Sequence, residues 1–255
     1  MKVYFQKFQG TGNDFVMIDG RDGISLTIAQ VIFLCDRRFG VGSDGVIILQ
    51  KSENADFYMN FYNPDGSQSF CGNGSRCTVV FADSLGIVAT RGKFEAIDGV
   101  HEFEFIDENV QIHMRDVNTI DQRAGDFVIN TGSPHYIVYA LNVENMNLVE
   151  EAQKIRYNDE FAINGINVNF VEQAGDGIKM RTYERGVEGE TLSCGTGVTA
   201  AALSWAAKNL GQSRVKVATR GGELFVKLNG DSGTSFTDIW LCGPAKKVFI
   251  GEIEI

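Results

Sequence analysis

Two tetrapeptides decide the fold of this chain: Cys-Gly-Asn-Gly at residues 71–74 and Cys-Gly-Thr-Gly at residues 194–197. Each opens a run with helical character, and the two lie about half of the chain length apart. A second repeat has similar spacing, because Ala-Thr-Arg-Gly occurs at residues 89–92 and again at residues 218–221. We therefore interpret the chain as an internal duplication in which a cysteine precedes one central helix in each half.

Both central helices are expected to be buried. The second run, residues 198–210, is apolar on nearly every side, and the first carries apolar residues up to Gly86. A helix that is apolar all round is enclosed by other elements. Gly86 and Gly211 suit the C′ position, where a helix ends in a left-handed residue.

Strand patterns surround both helices. Residues 57–62 alternate in polarity and lead into the turn sequence Asn-Pro-Asp-Gly, and residues 178–183 lead into Glu184. A hairpin follows each helix, formed by residues 100–106 with 110–114, and by residues 223–228 with 236–242. Outer helices are predicted at residues 26–35, with Ser25 as N-cap, and at residues 148–157, with Asn147 as N-cap.

This order of elements predicts an α+β protein of two homologous lobes. We place the lobes at residues 1–120 and 121–244, and we expect the last strand, residues 245–255, to return to the first lobe. Duplicated units commonly pack about a pseudo-twofold axis. We therefore expect Cys71 and Cys194 to face one cleft.

The composition excludes several classes of protein. The 255 residues include 23 basic and 33 acidic ones, a net charge of −10, which argues against nucleic acid or an anionic membrane as the partner. No apolar run is long enough to span a membrane, and the amino end does not read as a signal peptide, so we expect a cytosolic protein. Five scattered cysteines and three histidines indicate neither a disulfide framework nor a metal cluster.

The chemistry-bearing groups are the two repeated thiols. At a helix amino end, backbone N–H groups and the helix dipole favour an anion, so a cysteine there is expected to have a depressed pKa. One such cysteine alone is more often a small buried residue, but the repetition favours a function for Cys71 and Cys194. Cys35, Cys77 and Cys242 lack this setting and are interpreted as structural.

Other polar residues near these turns are candidates for a ligand site. His135 follows a glycine turn and could act as a base or donor beside a thiol. Glu184 and Arg185 end a strand and could take an ammonium group and a carboxylate. Turn asparagines complete the set: Asn13, Asn63, Asn73 and Asn167.

The motifs together resemble the diaminopimelate epimerase family, in order and over almost the whole chain. They are FQGTGNDF at residues 8–15, NPDG at 63–66, CGNGSRC at 71–77, GSPH at 132–135, ERG at 184–186 and ETLSCGTG at 190–197. The resemblance implies two lobes, each with mostly antiparallel strands wrapped around a central helix. It also implies interconversion of LL- and meso-diaminopimelate without pyridoxal phosphate or metal, in lysine and cell-wall precursor synthesis, by a homodimer.

Carried over by position, Cys71 and Cys194 are the acid and base, supported by His135 and Glu184. The implied substrate contacts are Asn13, Asn63, Gly72, Asn73, Asn167, Glu184, Arg185, Gly195 and Thr196.

Three departures from the family pattern bear on the distal end of the substrate. Ser133 stands where many members have asparagine, and Gly45 replaces a glutamine of some members. Val187 and Glu188 lengthen the loop before Cys194 by one residue.

Alternatives remain from the sequence alone. A related cofactor-independent racemase, for example one acting on histidine, would carry the same thiols. A thiol redox protein would instead cycle the pair with a reductant. A binding protein that had lost catalysis predicts that one cysteine is replaced, whereas both are present.

Overall fold

The computed structural model describes residues 1–230 and 233–255. The chain divides into two compact units, unit 1 (Met1–Ile112 with Gly243–Ile255) and unit 2 (His113–Cys242). The sequence-based lobe boundary at residue 120 lies slightly further along the chain. The last strand belongs to unit 1, where it pairs antiparallel with the first strand.

The elements of the first half are β1 Lys2–Gly10, β2 Asn13–Asp19, α1 Ile28–Cys35, β3 Val46–Gln50, β4 Phe57–Tyr62, α2 Gly72–Ser84, β5 Arg91–Ala96, β6 Gly99–Ile106 and β7 Asn109–His113. Those of the second half are β8 Asp121–Arg123, β9 Asp126–Asn130, β10 Pro134–Tyr139, a 3₁₀ turn Val143–Asn145, α3 Leu148–Arg156, β11 Asn167–Ala174, β12 Gly177–Glu184, β13 Gly189–Thr191, α4 Gly195–Lys208, β14 Arg214–Thr219, β15 Gly222–Asn229, β16 Thr237–Gly243 and, returning to unit 1, β17 Lys246–Glu254.

Strand pairing repeats between the two units. In unit 1, β1/β2 is antiparallel, β2/β3 parallel, β3/β4 antiparallel, β4/β5 parallel, and β5/β6 and β6/β7 antiparallel. In unit 2, β9/β10, β10/β11, β11/β12, β12/β14, β14/β15 and β15/β16 follow the same series. The predicted α+β fold is confirmed, and the duplication extends to the direction of each paired strand.

Strands β2 and β3 of unit 1 are buried on both faces. On β2, Phe15 and Met17 pack in the cluster that contains α2, whereas Val16 and Ile18 pack in the cluster that contains α1. Strand β3 divides in the same way. Burial of both faces explains why these strands read as continuous apolar runs rather than as alternating ones.

Both central helices are enclosed, as predicted. Nearly every residue of α2 and α4 is buried. Hydroxyl groups inside α2 bond to the helix itself: Ser75 donates to the carbonyl oxygen of Cys71 at 2.9 Å and Thr78 to that of Gly74 at 2.7 Å. These bonds let polar side chains lie within an apolar shell.

Some predicted boundaries were wrong. Helix α1 begins at Ile28, and its N-cap is Thr27, because Gln30 three residues later completes a capping box that Ser25 cannot form. Helix α3 begins at Leu148 with Asn147 as its N-cap residue, as predicted, but the Asn147 side chain makes no cap bond and the helix ends at Arg156. Gly86 occupies the predicted C′ position of α2 with φ +68°. Helix α4 ends at Lys208, so Gly211 lies one residue beyond the C′ position of that helix.

The capping box yields a stability prediction. Thr27→Ala should lower the free energy of unfolding by about 1 kcal/mol, because the first turn of α1 loses its side-chain acceptor. Urea unfolding measures this change. Ser25→Ala is the matched control, and an equal loss in both variants would contradict the assignment of the cap.

Candidate active site

Cys71 is the N-cap residue of α2. Its backbone is extended, and its Sγ accepts a hydrogen bond from the backbone N–H of Gly74 at 3.4 Å. The thiol therefore occupies the position at which Ser, Thr or Asp side chains ordinarily cap a helix. Sulfur at this position is stabilised as an anion.

Asn13 points its carbonyl oxygen at this thiol. The Asn13 Nδ2 group donates to Asp44 Oδ2 at 2.7 Å, which fixes the direction of the amide. Asn13 Oδ1 then lies 3.8 Å from Cys71 Sγ and 3.4 Å from Asn73 Nδ2. The amide can accept the proton of the Cys71 thiol.

Asp44, which binds the Asn13 amide, belongs to a cluster of charged side chains. Arg37 bridges Asp44 and Asp14 with contacts of 2.7 Å each, and the buried Lys7 lies 2.7 Å from Asp14. Burial alone would raise the pKa of Asp14, but hydrogen bonds from Arg37 and Lys7 outweigh it and lower the pKa to about 2. Asp14 is therefore ionised at neutral pH.

Arg76 anchors the first turn of α2 and is fully buried. Its Nη2 donates to Asn73 Oδ1 at 2.9 Å and to Thr11 Oγ1 at 3.2 Å, and its Nε donates to the carbonyl oxygen of Pro244 at 3.4 Å. The guanidinium thereby joins the β1–β2 turn, α2 and the segment before β17 within unit 1.

Two other sequence candidates of unit 1 differ in their surroundings. Gly72 is the first residue of α2 and is buried. Asn63 is partly exposed, and its amide donates to Ser67 and Ser69 within its own turn. Its contact with substrate stays a prediction.

The departure at Gly45 has a steric reason. A Cβ built at Gly45 would lie 2.3 Å from a ring carbon of Phe61 and 2.7 Å from the carbonyl oxygen of Tyr62. Because the second atom belongs to the backbone, a side chain such as glutamine does not fit this β3–β4 packing.

Cys194 is the N-cap residue of α4, the position equivalent to Cys71. Its Sγ lies 3.4 Å from Thr196 Oγ1. Thr196 in turn lies 2.9 Å from Nε2 of His135, and its backbone carbonyl accepts from Thr131. The second thiol is thus linked through a hydroxyl group to the histidine singled out in the sequence.

His135 is completely buried at the beginning of β10. Burial lowers its pKa to about 3, and the positive charge of Arg185 adds to this effect. At neutral pH the imidazole is therefore uncharged. It can donate or accept one hydrogen bond at each nitrogen, but it does not supply a positive charge.

Asn167 contacts three residues singled out in the sequence, Ser133, His135 and Arg185. The Asn167 Nδ2 group donates to Ser133 Oγ at 2.9 Å, and Asn167 Oδ1 accepts from the backbone N–H of Arg185 at 2.8 Å. Ser133 therefore has a defined partner in this chain. The Arg185 guanidinium donates to the carbonyl oxygen of Asn164 at 2.9 Å, and Glu184 is half-buried at the end of β12.

Hydrogen bonds of Glu188 hold the lengthened loop in place. Its carboxylate accepts from Arg156 at 2.9 Å, from both Tyr157 and Tyr183 at 3.0 Å, and from the backbone of Gly186 at 3.2 Å. Glu188 itself has φ +52°, a left-handed conformation. These bonds fix the turn that carries Glu184 and Arg185.

Sequence reasoning missed several residues of these two sites. Asp44 and Arg37 carry no local signal, because their partners Asn13 and Asp14 lie far back in the chain. Arg76 lies within the motif at residues 71–77, and Thr182 pairs with Asn169 across the β11–β12 hairpin, but neither was singled out. Asn169 could have been found, since Asn167 and Asn169 share one face of a strand. Among the described residues, no group of three or more His, Cys, Asp and Glu could hold a metal ion, and no helix is long and apolar enough to cross a membrane.

Comparison with known proteins places the chain in one family. The family model described as "Diaminopimelate epimerase" matches residues 5–120 and 127–248. A diaminopimelate epimerase of Flavobacterium psychrophilum is 45% identical over 256 residues, 98% of each chain. That of Chlorobaculum tepidum is 43% identical and covers 96% of this chain and 99% of its own.

Solved structures of lower identity share the fold. A PhzF-family phenazine biosynthesis protein of Bacillus anthracis has a TM-score of 0.77 at 15% identity, covering 100% of both chains. A hydroxyproline epimerase of Agrobacterium vitis has a TM-score of 0.71 at 17% identity, over 99% of this chain and 92% of its own.

The buried neutral histidine predicts a pH dependence of stability. Its pKa is lower in the folded than in the unfolded chain, so the unfolded state binds the extra proton as pH falls below about 6.5. Stability should therefore be lost from pH 6.5 downward. In urea unfolding between pH 4.5 and 7, the slope of stability against pH should be smaller in His135→Gln, by about 0.7 kcal/mol per pH unit at pH 6.5 and by about 1.4 kcal/mol per pH unit below pH 5.5. Equal slopes in both proteins would contradict the neutral buried imidazole.

Proposed function

This chain belongs to the diaminopimelate epimerase family, and we propose on that premise that it interconverts LL-2,6- and meso-2,6-diaminopimelate. The observation that carries the proposal is the pair of cysteines that cap equivalent central helices, within family motifs that extend along the whole chain. No pyridoxal phosphate or metal ion takes part in the proposed reaction.

The chemical difficulty is the weakly acidic α-proton of an amino acid. Removing it creates carbanion character that preorganised dipoles must stabilise. The backbone N–H groups at the amino ends of α2 and α4 are such dipoles, and an α-carboxylate is the anion they would accept. Each helix end would thus both hold a thiolate and bind the substrate.

In the proposed mechanism, one cysteine acts as thiolate and removes the α-proton. The other acts as thiol and delivers a proton to the opposite face of the α-carbon, which inverts the centre. The two cysteines need one proton between them, so they titrate as a coupled pair. After turnover the protons must return to their starting positions.

Supporting roles follow from the contacts within each unit. His135 acts on Cys194 through Thr196, and Asn13 accepts from the thiol of Cys71. Glu184 would take an ammonium group and Arg185 a carboxylate. The remaining proposed substrate contacts are Asn63, Gly72, Asn73, Asn167 and Gly195.

We place this reaction in lysine and cell-wall precursor synthesis, in the cytosol. All five cysteines are free thiols, and the mechanism requires Cys71 and Cys194 to stay reduced. A reducing compartment meets that requirement.

The test of the function is a proton NMR time course of the reduced protein with LL-diaminopimelate in D₂O. We expect the α-proton signal to disappear while the meso isomer accumulates. An unchanged spectrum from folded, fully reduced protein would reject diaminopimelate as the substrate. Free histidine in the same assay tests the related racemase activity.

Replacing either catalytic candidate should abolish inversion. Cys71→Ala and Cys194→Ala each remove one of the two proton carriers, so we expect epimerisation to fall at least about 10³-fold in both, with an unchanged fold. Circular dichroism checks the fold. Cys35→Ala is the matched thiol control with retained activity, and full turnover in either catalytic variant would reject the two-base mechanism.

We also propose a homodimer. Four large apolar residues of the β1–β17 pair are exposed: Tyr4, Val248, Phe249 and Ile250. Exposed apolar residues grouped on one strand pair are typical of an interface. Light scattering should give twice the 28.0 kDa chain mass, and Ile250→Glu should shift it to the monomer. A monomeric wild-type protein would contradict the proposal.

A further inference from the structure

The ring of His135 is held at both nitrogens. Nδ1 lies 3.1 Å from Nδ2 of Asn169, and Nε2 lies 2.9 Å from Oγ1 of Thr196. Nε2 also lies 3.5 Å from Nδ2 of Asn167, but the two hydrogens of that amide go to Ser133 Oγ at 2.9 Å and to the carbonyl oxygen of Pro134 at 3.2 Å. Which nitrogen carries the proton decides whether the histidine donates toward Cys194 or accepts from it.

The orientation of the Asn169 amide answers this question. The same side-chain atom that contacts His135 Nδ1 also lies 3.3 Å from the backbone carbonyl oxygen of Tyr136. A carbonyl oxygen only accepts, so this atom is the amide nitrogen. The other end agrees, because Thr182 Oγ1 donates to Asn169 Oδ1 at 3.0 Å.

An amide nitrogen only donates, so His135 Nδ1 must accept. The neutral ring then carries its proton on Nε2 and donates it to the hydroxyl oxygen of Thr196. The Thr196 proton is left free to point at Cys194 Sγ, 3.4 Å away. Each group in this series therefore donates toward the sulfur.

We propose that Asn169 and Thr182 are positioning residues of the epimerase reaction, which lock His135 as the Nε2–H tautomer so that Thr196 donates to the Cys194 thiolate. The assignment rests on the proposed function for the role of Cys194 in the reaction. The tautomer itself follows from the contacts alone.

The surroundings leave this arrangement little freedom. All three side chains, His135, Asn169 and Thr182, are buried. A Cβ at Gly197 would lie 2.7 Å from Asn169 Oδ1 and 3.2 Å from Cε1 of His135, so the helix approaches the pair closely. A doubly protonated ring would place Nδ1–H against the Asn169 amide N–H, which disfavours the charged form.

The tautomer is tested by ¹⁵N NMR of histidine-labelled protein at neutral pH. The chain has three histidines, and His135→Gln assigns the signal. We expect a pyridine-type Nδ1 and a pyrrole-type Nε2 for His135. The opposite pattern in the wild-type protein would overturn the proposal without any variant having to fold.

The effect on the thiol is tested by the pH dependence of iodoacetamide alkylation, followed at the Cys194 peptide by mass spectrometry. Asn169→Leu keeps the side-chain shape but removes the donor. We expect alkylation about tenfold slower at pH 7, equivalent to a midpoint about one pH unit higher, together with a mixed tautomer signal. An unchanged midpoint would overturn the role of Asn169.

Two further variants separate the steps. Thr196→Val should raise the Cys194 midpoint, because the thiolate loses the hydroxyl donor. It should leave the Nε2–H signal of His135 in place, because the contact with Asn169 that fixes the tautomer remains. Thr182→Val replaces the hydroxyl group with a methyl group of similar size. It should shift the Cys194 midpoint and the tautomer signal in the same direction as Asn169→Leu, to a smaller extent. A Thr196→Val variant with the wild-type midpoint would show that the hydroxyl does not reach the thiolate and would reject the proposal.

These readouts need no substrate. A negative result in the diaminopimelate assay would therefore reject the proposed function and leave the tautomer measurement standing. A wrong tautomer with full epimerase activity would reject only the positioning role.

Discussion

The structure depends on the amino ends of two buried helices, each of which has a cysteine at the N-cap position. A helix amino end carries unpaired N–H groups, and enclosure of α2 and α4 keeps water from satisfying them. At Cys71 the sulfur accepts one of these groups directly, from Gly74. The same N–H groups that complete the helix also favour negative charge, so the burial of the helix and the reactivity of the thiol have one origin.

The two units support equivalent thiols with different chemistry. In unit 1 the amide of Asn13 is directed by an acidic side chain, because its nitrogen donates to Asp44, which in turn accepts from Arg37. In unit 2 the support is uncharged, since His135 is buried and neutral and its neighbours are amides and hydroxyls. Duplication thus fixed the position of the thiol, while the side chains behind it diverged. The two cysteines consequently differ in what their surroundings donate and accept.

Most of the fold could be predicted because its signals are local. Repeated Cys-Gly-x-Gly turns, alternating strands and all-round apolar helices indicated the duplicated α+β units directly. The N-cap of α1 was misplaced because serine and threonine both occur there, and only the partner Gln30 distinguishes them. The glycine turn before His135 suggested a role beside a thiol, but it could not show which thiol, nor the burial and partners of the ring. Asp44 and Arg76 act through contacts between segments distant in the chain, which no local pattern carries.

Their position at a helix amino end distinguishes the reactivity of Cys71 and Cys194 from that of the other three cysteines. The most direct measurement is the alkylation rate of all five thiols against pH, resolved by peptide mass spectrometry. Burial raises the pKa of Cys77 to about 12 and also raises that of Cys35, so neither should react near neutral pH. We expect Cys71 and Cys194 to react with the alkylating reagent at pH 7, whereas Cys35 and Cys77 do not react. Equal reactivity of Cys71 or Cys194 with the buried Cys77 would contradict it.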